Sequence, residues 1–125
     1  ELQEGQIWEA AMYIGSKRIN NILTFIDGNK FQNEKLISET LKEINLKKKW
    51  QSFGFKFINI DGHSINQLNK VIKNFNEKKY NSPVVVYCNT IKGKGVSFME
   101  GKNKYHSVKK LPSTEYEQAI RELDD

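Results

Sequence analysis

Three short apolar runs, ILTFID at 22–27, FKFINI at 55–60 and VVVYC at 84–88, alternate with longer stretches of helical periodicity. Strands that alternate with helices are joined by right-handed crossovers, so they lie parallel in one sheet. The predicted fold class is therefore α/β, a parallel sheet with flanking helices. VVVYC has no polar alternation and reads as a strand buried on both faces. Between the strands, 5–19 places Ile7, Trp8, Ala11, Ile14 and Gly15 on one helical face, with Lys17 and Arg18 late, where the helix dipole favours cations. A second helix is predicted over 38–53, opened by Ser38, Glu39 and Thr40 and stopped by Gly54. A third runs over 65–79, capped by Ser64, with Ile65, Leu68, Val71, Ile72 and Phe75 on one face. Pro112 and Ser113 introduce a last helix to about Leu123. Loops are predicted at 28–37 and 89–111. Three strands make a narrow sheet, so the chain reads as the later half of a larger doubly wound domain.

The sheet also predicts where a ligand would sit. In open α/β sheets ligands bind beyond the carboxyl ends of the strands. Those ends carry Asp27-Gly28-Asn29, Asp61-Gly62-His63, and Asn89-Thr90-Ile91-Lys92-Gly93. Lys92-Gly93-Lys94-Gly95 has the glycines that let a backbone approach an anion and the lysines that attract one. It lacks the spacing of a Walker A loop, and a solvated basic turn fits it equally well. Asn29 offers an amide oxygen suited to Mg²⁺, or simply makes a turn. His63 and His106 are the only histidines, and no Cys/His spacing suggests zinc. His63 suits a helix entry. His106 stands in a loop long enough to be functional, or is merely exposed. Glu4 and Glu9 are about 140° apart on a helix at ~100° per residue, so a joint role requires a second chain or a cofactor. Trp8, Trp50 and Phe53 are predicted core residues, and Cys88 a small buried hydrophobe.

Charge narrows the partner. Lys and Arg number 20 against 15 Asp and Glu, a net of +5. Residues 92–110 hold six Lys and one Glu, which is also +5, so the rest of the chain sums to zero. Residues 112–125 hold five acids and one Arg. The pI of about 9.2 raises nucleic acid as a partner, but the sequence carries no RNA- or DNA-binding signature, and no nucleic acid is expected to bind. No window approaches the ~18 consecutive apolar residues of a membrane span, so no membrane association is expected. The first four residues show neither a basic region nor an apolar core, so no signal peptide is read there. A lone cysteine excludes an internal disulfide and suits a cytoplasmic location.

The run Glu1 to Met12 (ELQEGQIWEAAM) resembles the segment that follows Gly-Asp-Gly in the thiamine-diphosphate motif of transketolases. Ile26-Asp27-Gly28-Asn29-Lys30-Phe31-Gln32, Phe53-Gly54-Phe55, Asp61-Gly62-His63-Ser64 and the block from Thr90 to Glu100 each resemble a transketolase segment, in family order. The resemblance implies a thiamine-diphosphate-binding fold, incomplete at its N-terminus. Residues 1–125 would be the C-terminal part of one diphosphate-binding domain, cut just after the expected Gly-Asp-Gly. It implies that Asn29 ligates Mg²⁺ and touches the diphosphate, and that the carbonyl of Phe31 completes the protein ligands. Lys92 would lie near the cofactor, and His106 would contact both diphosphate and donor substrate. Glu4 and Glu9 would lie at a dimer interface and link two cofactor sites, with Glu4 and His106 counted as catalytic. The family usually has Gly after the loop His, where this chain has Ser107, and Lys109-Lys110 is less typical.

The implied reaction moves a two-carbon ketol unit from a ketose phosphate to an aldose phosphate through thiamine diphosphate and Mg²⁺ or another divalent cation. The glutamate that activates the aminopyrimidine belongs to a pyrimidine-binding half, in the same chain or a separate subunit, so this chain alone is expected to be inactive. The expected assembly is a homodimer or a heterotetramer. The acidic finish Leu123-Asp124-Asp125 is read as the natural end of a split transketolase subunit. Two other readings stay open: a non-catalytic or regulatory subunit that retains the fold, and a related thiamine-dependent transferase for another sugar.

Overall fold

A computed structural model describes residues 1–33, 35–42 and 44–124. The described chain falls into two compact units. The first comprises Glu1–Gly28 and Glu43–Asn89, and the second Asn29–Lys42 and Thr90–Asp125.

The first unit holds the parallel sheet. Its strands are β1 (Leu23–Asp27), β4 (Lys56–Asp61) and β5 (Val84–Asn89), in the order β1-β5-β4. The last strand is thus inserted between the other two, parallel to both. This is why VVVYC is the most apolar run. Val84, Val85 and Val86 are fully buried, because a central strand with helices on both faces meets no water on either side. On one face, Val85 and Ile26 pack with Ala11 of α1 (Gly5–Ser16) and Trp50 of α2 (Leu46–Ser52). Trp8, Ile14 and Phe53, partly buried, pack against that cluster. On the other face, Val84, Val86, Cys88 and Ile60 pack with Val71, Leu68 and Phe75 of α3 (Ile65–Asn76). The predicted core residues Trp50 and Cys88 are buried, and Ser64 caps α3 by accepting a hydrogen bond from the Gln67 N–H.

The second unit departs most from expectation. β2 (Phe31–Gln32) pairs antiparallel with β3 (Lys35–Leu36) as a hairpin, where the sequence predicts a loop. The helix predicted over 38–53 is confined to its second half. Ile37–Glu39 makes one 3-10 turn, and α2 begins only at Leu46, after Asn45 with φ near 51°. The Thr40 hydroxyl explains part of this, because its single proton has Gln32 Oε1 at 2.9 Å and Ile37 O at 3.2 Å as alternative acceptors, the nearer of which ties its segment to the hairpin. Side-chain bonds of this kind compete with a helix. The predicted loop 28–37 and helix 38–53 include Glu34 and Glu43, which lie outside the described residues. The predicted loop 89–111 loses Asn89 to β5, and residues 90–111 form turns and irregular chain with a 3-10 turn at Asn103–Tyr105, after which α4 spans Ser113–Asp124. Among the described residues no helix is long and apolar enough to cross a membrane.

Candidate functional site

Both connections from the sheet to the second unit leave neighbouring strands. Asp27 ends β1 in register with Cys88, and β5 ends one residue later. Gly28 follows β1 and donates its N–H to Cys88 O at 2.8 Å. A Cβ at Gly28 would lie 2.5 Å from the Tyr87 ring and 2.7 Å from Cys88 O, so only glycine fits. At the other exit the Asn89 amide donates to Asn59 Oδ1 (2.6 Å) and Ile60 O (2.8 Å), which ties the end of β5 to β4.

Asn29 opens the second unit. Its Oδ1 accepts the Phe31 N–H at 2.8 Å, so the turn function is real. An amide oxygen has a second lone pair, so the turn does not exclude a cation. The hairpin then decides what Phe31 presents. Ile37 N–H donates to Lys30 O at 3.0 Å, which makes 30 and 37 a hydrogen-bonded pair. Antiparallel pairs alternate, so Phe31 and Leu36 form a non-bonded pair. The hairpin ladder therefore uses neither the N–H nor the carbonyl of Phe31.

The basic segment is a folded turn rather than a loose loop. Val96 N–H donates to Gly93 O, Met99 N–H to Val96 O and Gly101 N–H to Lys92 O, at 3.2, 2.9 and 2.8 Å. Gly93 has φ near +73°, and a Cβ there would lie 2.7 Å from Met99 O. Val96 is buried beneath the turn. Lys94 pairs with Glu100 at 3.2 Å on the surface. Lys92 instead reaches His106, with Nζ and Nδ1 3.1 Å apart across 14 residues of chain. The 3-10 turn sets the His106 backbone, whose N–H donates to Asn103 O at 2.9 Å.

His106 and Ser107 line one side of an open cleft of about 500 Å³, and Gln32, Asn33, Lys35 and Thr40 line the rest. The cleft brings the predicted loop histidine to the hairpin that starts at Phe31, while Asn29, Phe31 and Lys92 are not among its lining residues. Glu4 and Glu9 are exposed at the start and on the flank of α1, in the first unit. Glu4 makes no side-chain cap to its helix. His63 takes the structural alternative at its backbone, with its N–H on Asp61 Oδ1 at 2.9 Å. Burial, aided by Asp27, pushes the Cys88 thiol up, so it stays neutral and is a poor nucleophile.

Sequence reasoning assigned no role to α4, which braces this turn. Glu122 accepts from the Ser97 N–H (2.5 Å) and hydroxyl (2.7 Å) and from the Gln118 amide (2.6 Å). These bonds, Gln118 first, hold its carboxyl below the ordinary range. Two turns earlier, Glu115 accepts from the Tyr105 hydroxyl at 3.3 Å, and the Tyr105 ring meets Phe98 edge-on. A signal existed in the sequence. Glu115 and Glu122 are seven residues apart, hence on one helical face, and they follow a basic segment.

The donor set fits a diphosphate with Mg²⁺. Lys92 and His106 carry nitrogen donors of the kind that would suit phosphate oxygens, and Asn29 and Phe31 carry neutral oxygens of the kind that would suit Mg²⁺ beside phosphate and water. Among the described residues no group of three or more His, Cys, Asp or Glu could hold a metal ion.

The family model described as "Transketolase, thiamine diphosphate binding domain" matches residues 1–122. The chain belongs to the transketolase family. Relatives in that family include the 6-deoxy-6-sulfo-D-fructose transketolase subunit SqwG of Clostridium sp. (strain MSTE9), 37% identical over 99% of this chain and 44% of its own length. An apulose-4-phosphate transketolase subunit of Phocaeicola vulgatus is 32% identical, with 100% of this chain and 44% of the relative covered. Among solved structures, the transketolase of Campylobacter jejuni superposes with a TM-score of 0.87 at 27% identity, covering 98% of this chain and 19% of that one. The chain thus spans less than half the length of these transketolases. The resemblance read from the motifs and the α/β fold with its parallel sheet are both borne out.

Proposed function

We propose that this chain is the C-terminal part of the diphosphate-binding domain of a transketolase, acting with thiamine diphosphate and Mg²⁺. The observation that carries this is the cleft, where His106, paired with Lys92, meets the hairpin that starts at Phe31, two residues after Asn29. In this reading the Asn29 amide oxygen and the Phe31 carbonyl hold the metal. Lys92 and His106 bind diphosphate oxygens, and His106 also faces the ketose donor. Bound thiamine diphosphate supplies the carbanion and electron sink for cleaving the bond beside a ketose carbonyl. Glu4 and Glu9, exposed on α1, are available to a second chain at a dimer interface. The two relatives named as subunits favour a separate pyrimidine-binding partner, which would make the assembly a heterotetramer, whereas the same half in one chain would make it a homodimer. A cytoplasmic location is part of this reading.

The substrate is a phosphorylated or similarly anionic sugar. Because those relatives are named for different sugars, a transketolase acting on a sugar outside the common ketose phosphates is a second reading. Donor–acceptor pairs assayed on the complete enzyme separate the two. The test of the site is calorimetric titration of the full-length protein with thiamine diphosphate and Mg²⁺. Asn29→Ala should weaken binding roughly 10–100-fold, the range seen when a supporting metal-site contact is lost. Equal affinity in the variant overturns the assignment of Asn29.

A further inference from the structure

We propose that Lys92 is a positioning residue that fixes His106 in the tautomer with its proton on Nε2, making His106 a hydrogen-bond donor to the cleft rather than a resting base. An ammonium group has three donors and no lone pair. At 3.1 Å from Lys92 Nζ, His106 Nδ1 must therefore accept. A neutral imidazole that accepts at one nitrogen carries its proton on the other. Nε2–H is then the polar group His106 has left to offer the cleft it lines.

Both backbones behind this contact are fixed. Gly101 N–H holds Lys92 O at 2.8 Å, and Asn103 O holds the His106 N–H at 2.9 Å. The Tyr105 ring, against Phe98 and bonded to Glu115, anchors the residue before the histidine. The neighbouring Lys94 does not compete for the imidazole, because it is paired with Glu100.

The chemical consequence is specific. A donor at Nε2 suits an anionic oxygen or a carbonyl or hydroxyl oxygen of a sugar. It does not remove a proton from substrate until it has first given its own away. What this means for catalysis rests on the transketolase reading, whereas the tautomer itself does not.

The test is ¹⁵N NMR of the histidine side chains in the full-length protein without cofactor. It is recorded at pH 8, above the ordinary histidine pKa of about 6.5. The His106 signals are assigned by their loss in His106→Asn. The expected spectrum shows an unprotonated, hydrogen-bonded Nδ1 and a protonated Nε2. In Lys92→Met that preference should be lost, with both nitrogens moving toward an average of the two tautomers. Lys92→Arg keeps a pure donor and should restore it. An Nδ1–H ring in the unmodified protein overturns the proposal, as does an unchanged ring in Lys92→Met. Failure of cofactor binding with the Nε2–H ring intact overturns the transketolase site and leaves the tautomer standing.

Discussion

A methyl group added at Gly28 would meet the Tyr87 ring and the Cys88 carbonyl well inside contact distance. Those neighbours belong to the central strand, so they cannot give way cheaply. Gly28→Ala should cost about 1–3 kcal/mol, the usual range for overpacking, read as a lower urea midpoint at unchanged slope. It should also displace Asn29, the next residue, so cofactor affinity should fall with stability. At this scale the sequence was informative for side chains and silent for pairings. Asn29 was legible as a polar residue after a strand, with turn and ligand both open, and the bond to the Phe31 N–H shows the turn. The availability of the Phe31 carbonyl was not legible, because it depends on the hairpin's alternation and not on the residue type. The Lys92–His106 contact was equally hidden. Nothing in residues 93–105 announces that the chain folds back across 14 residues to bring them together.

Among the elements, α4 is the one whose role was not read. Its Glu122 carboxylate is held by three hydrogen bonds and lies below its ordinary range. A depressed folded-state pKa means that this clasp contributes fully above the unfolded Glu value of about 4.3 and is lost as pH falls through the folded value. Glu122→Ala should therefore loosen the Ser97 turn at pH 7. The difference from the unmodified protein should shrink as the solution is acidified below about pH 4, followed by proteolytic nicking within 92–104. A difference that grows on acidification would contradict the clasp. The prediction for 38–53 shows the opposite failure. Periodicity and an N-terminal Ser-Glu-Thr suggest one long helix. Thr40 instead commits its hydroxyl to the hairpin, and only seven residues from Leu46 become α2. The three sheet strands were legible almost to the residue, since apolar β-branched runs bounded by Gly, Asp and Asn are unambiguous when a buried sheet is the outcome.

For the whole chain, the sheet unit carries the burial. Val84, Val85 and Val86 expose nothing, and each is covered from a helix on its own side of the sheet. Amide exchange of the full-length protein should accordingly be slowest in β5, with the hairpin and the 90–106 turns exchanging first. Val85→Ala should cost about 2 kcal/mol, from two lost methyl groups at ~0.8 each plus a small cavity. Strand order was beyond the sequence, which cannot say that the last strand enters between the first two. That order has a consequence for how the second unit is assembled. Its two segments begin at Asn29 and Thr90, 61 residues apart in the chain. Joining such distant points in a flexible chain costs about 4 kcal/mol in loop-closure entropy. Because β1 and β5 pair side by side, with Asp27 opposite Cys88, that cost is met when the sheet forms. Pairing of the strands thus acts as a tether that raises the local concentration of one segment around the other, before either residue of the Lys92–His106 pair has met its partner.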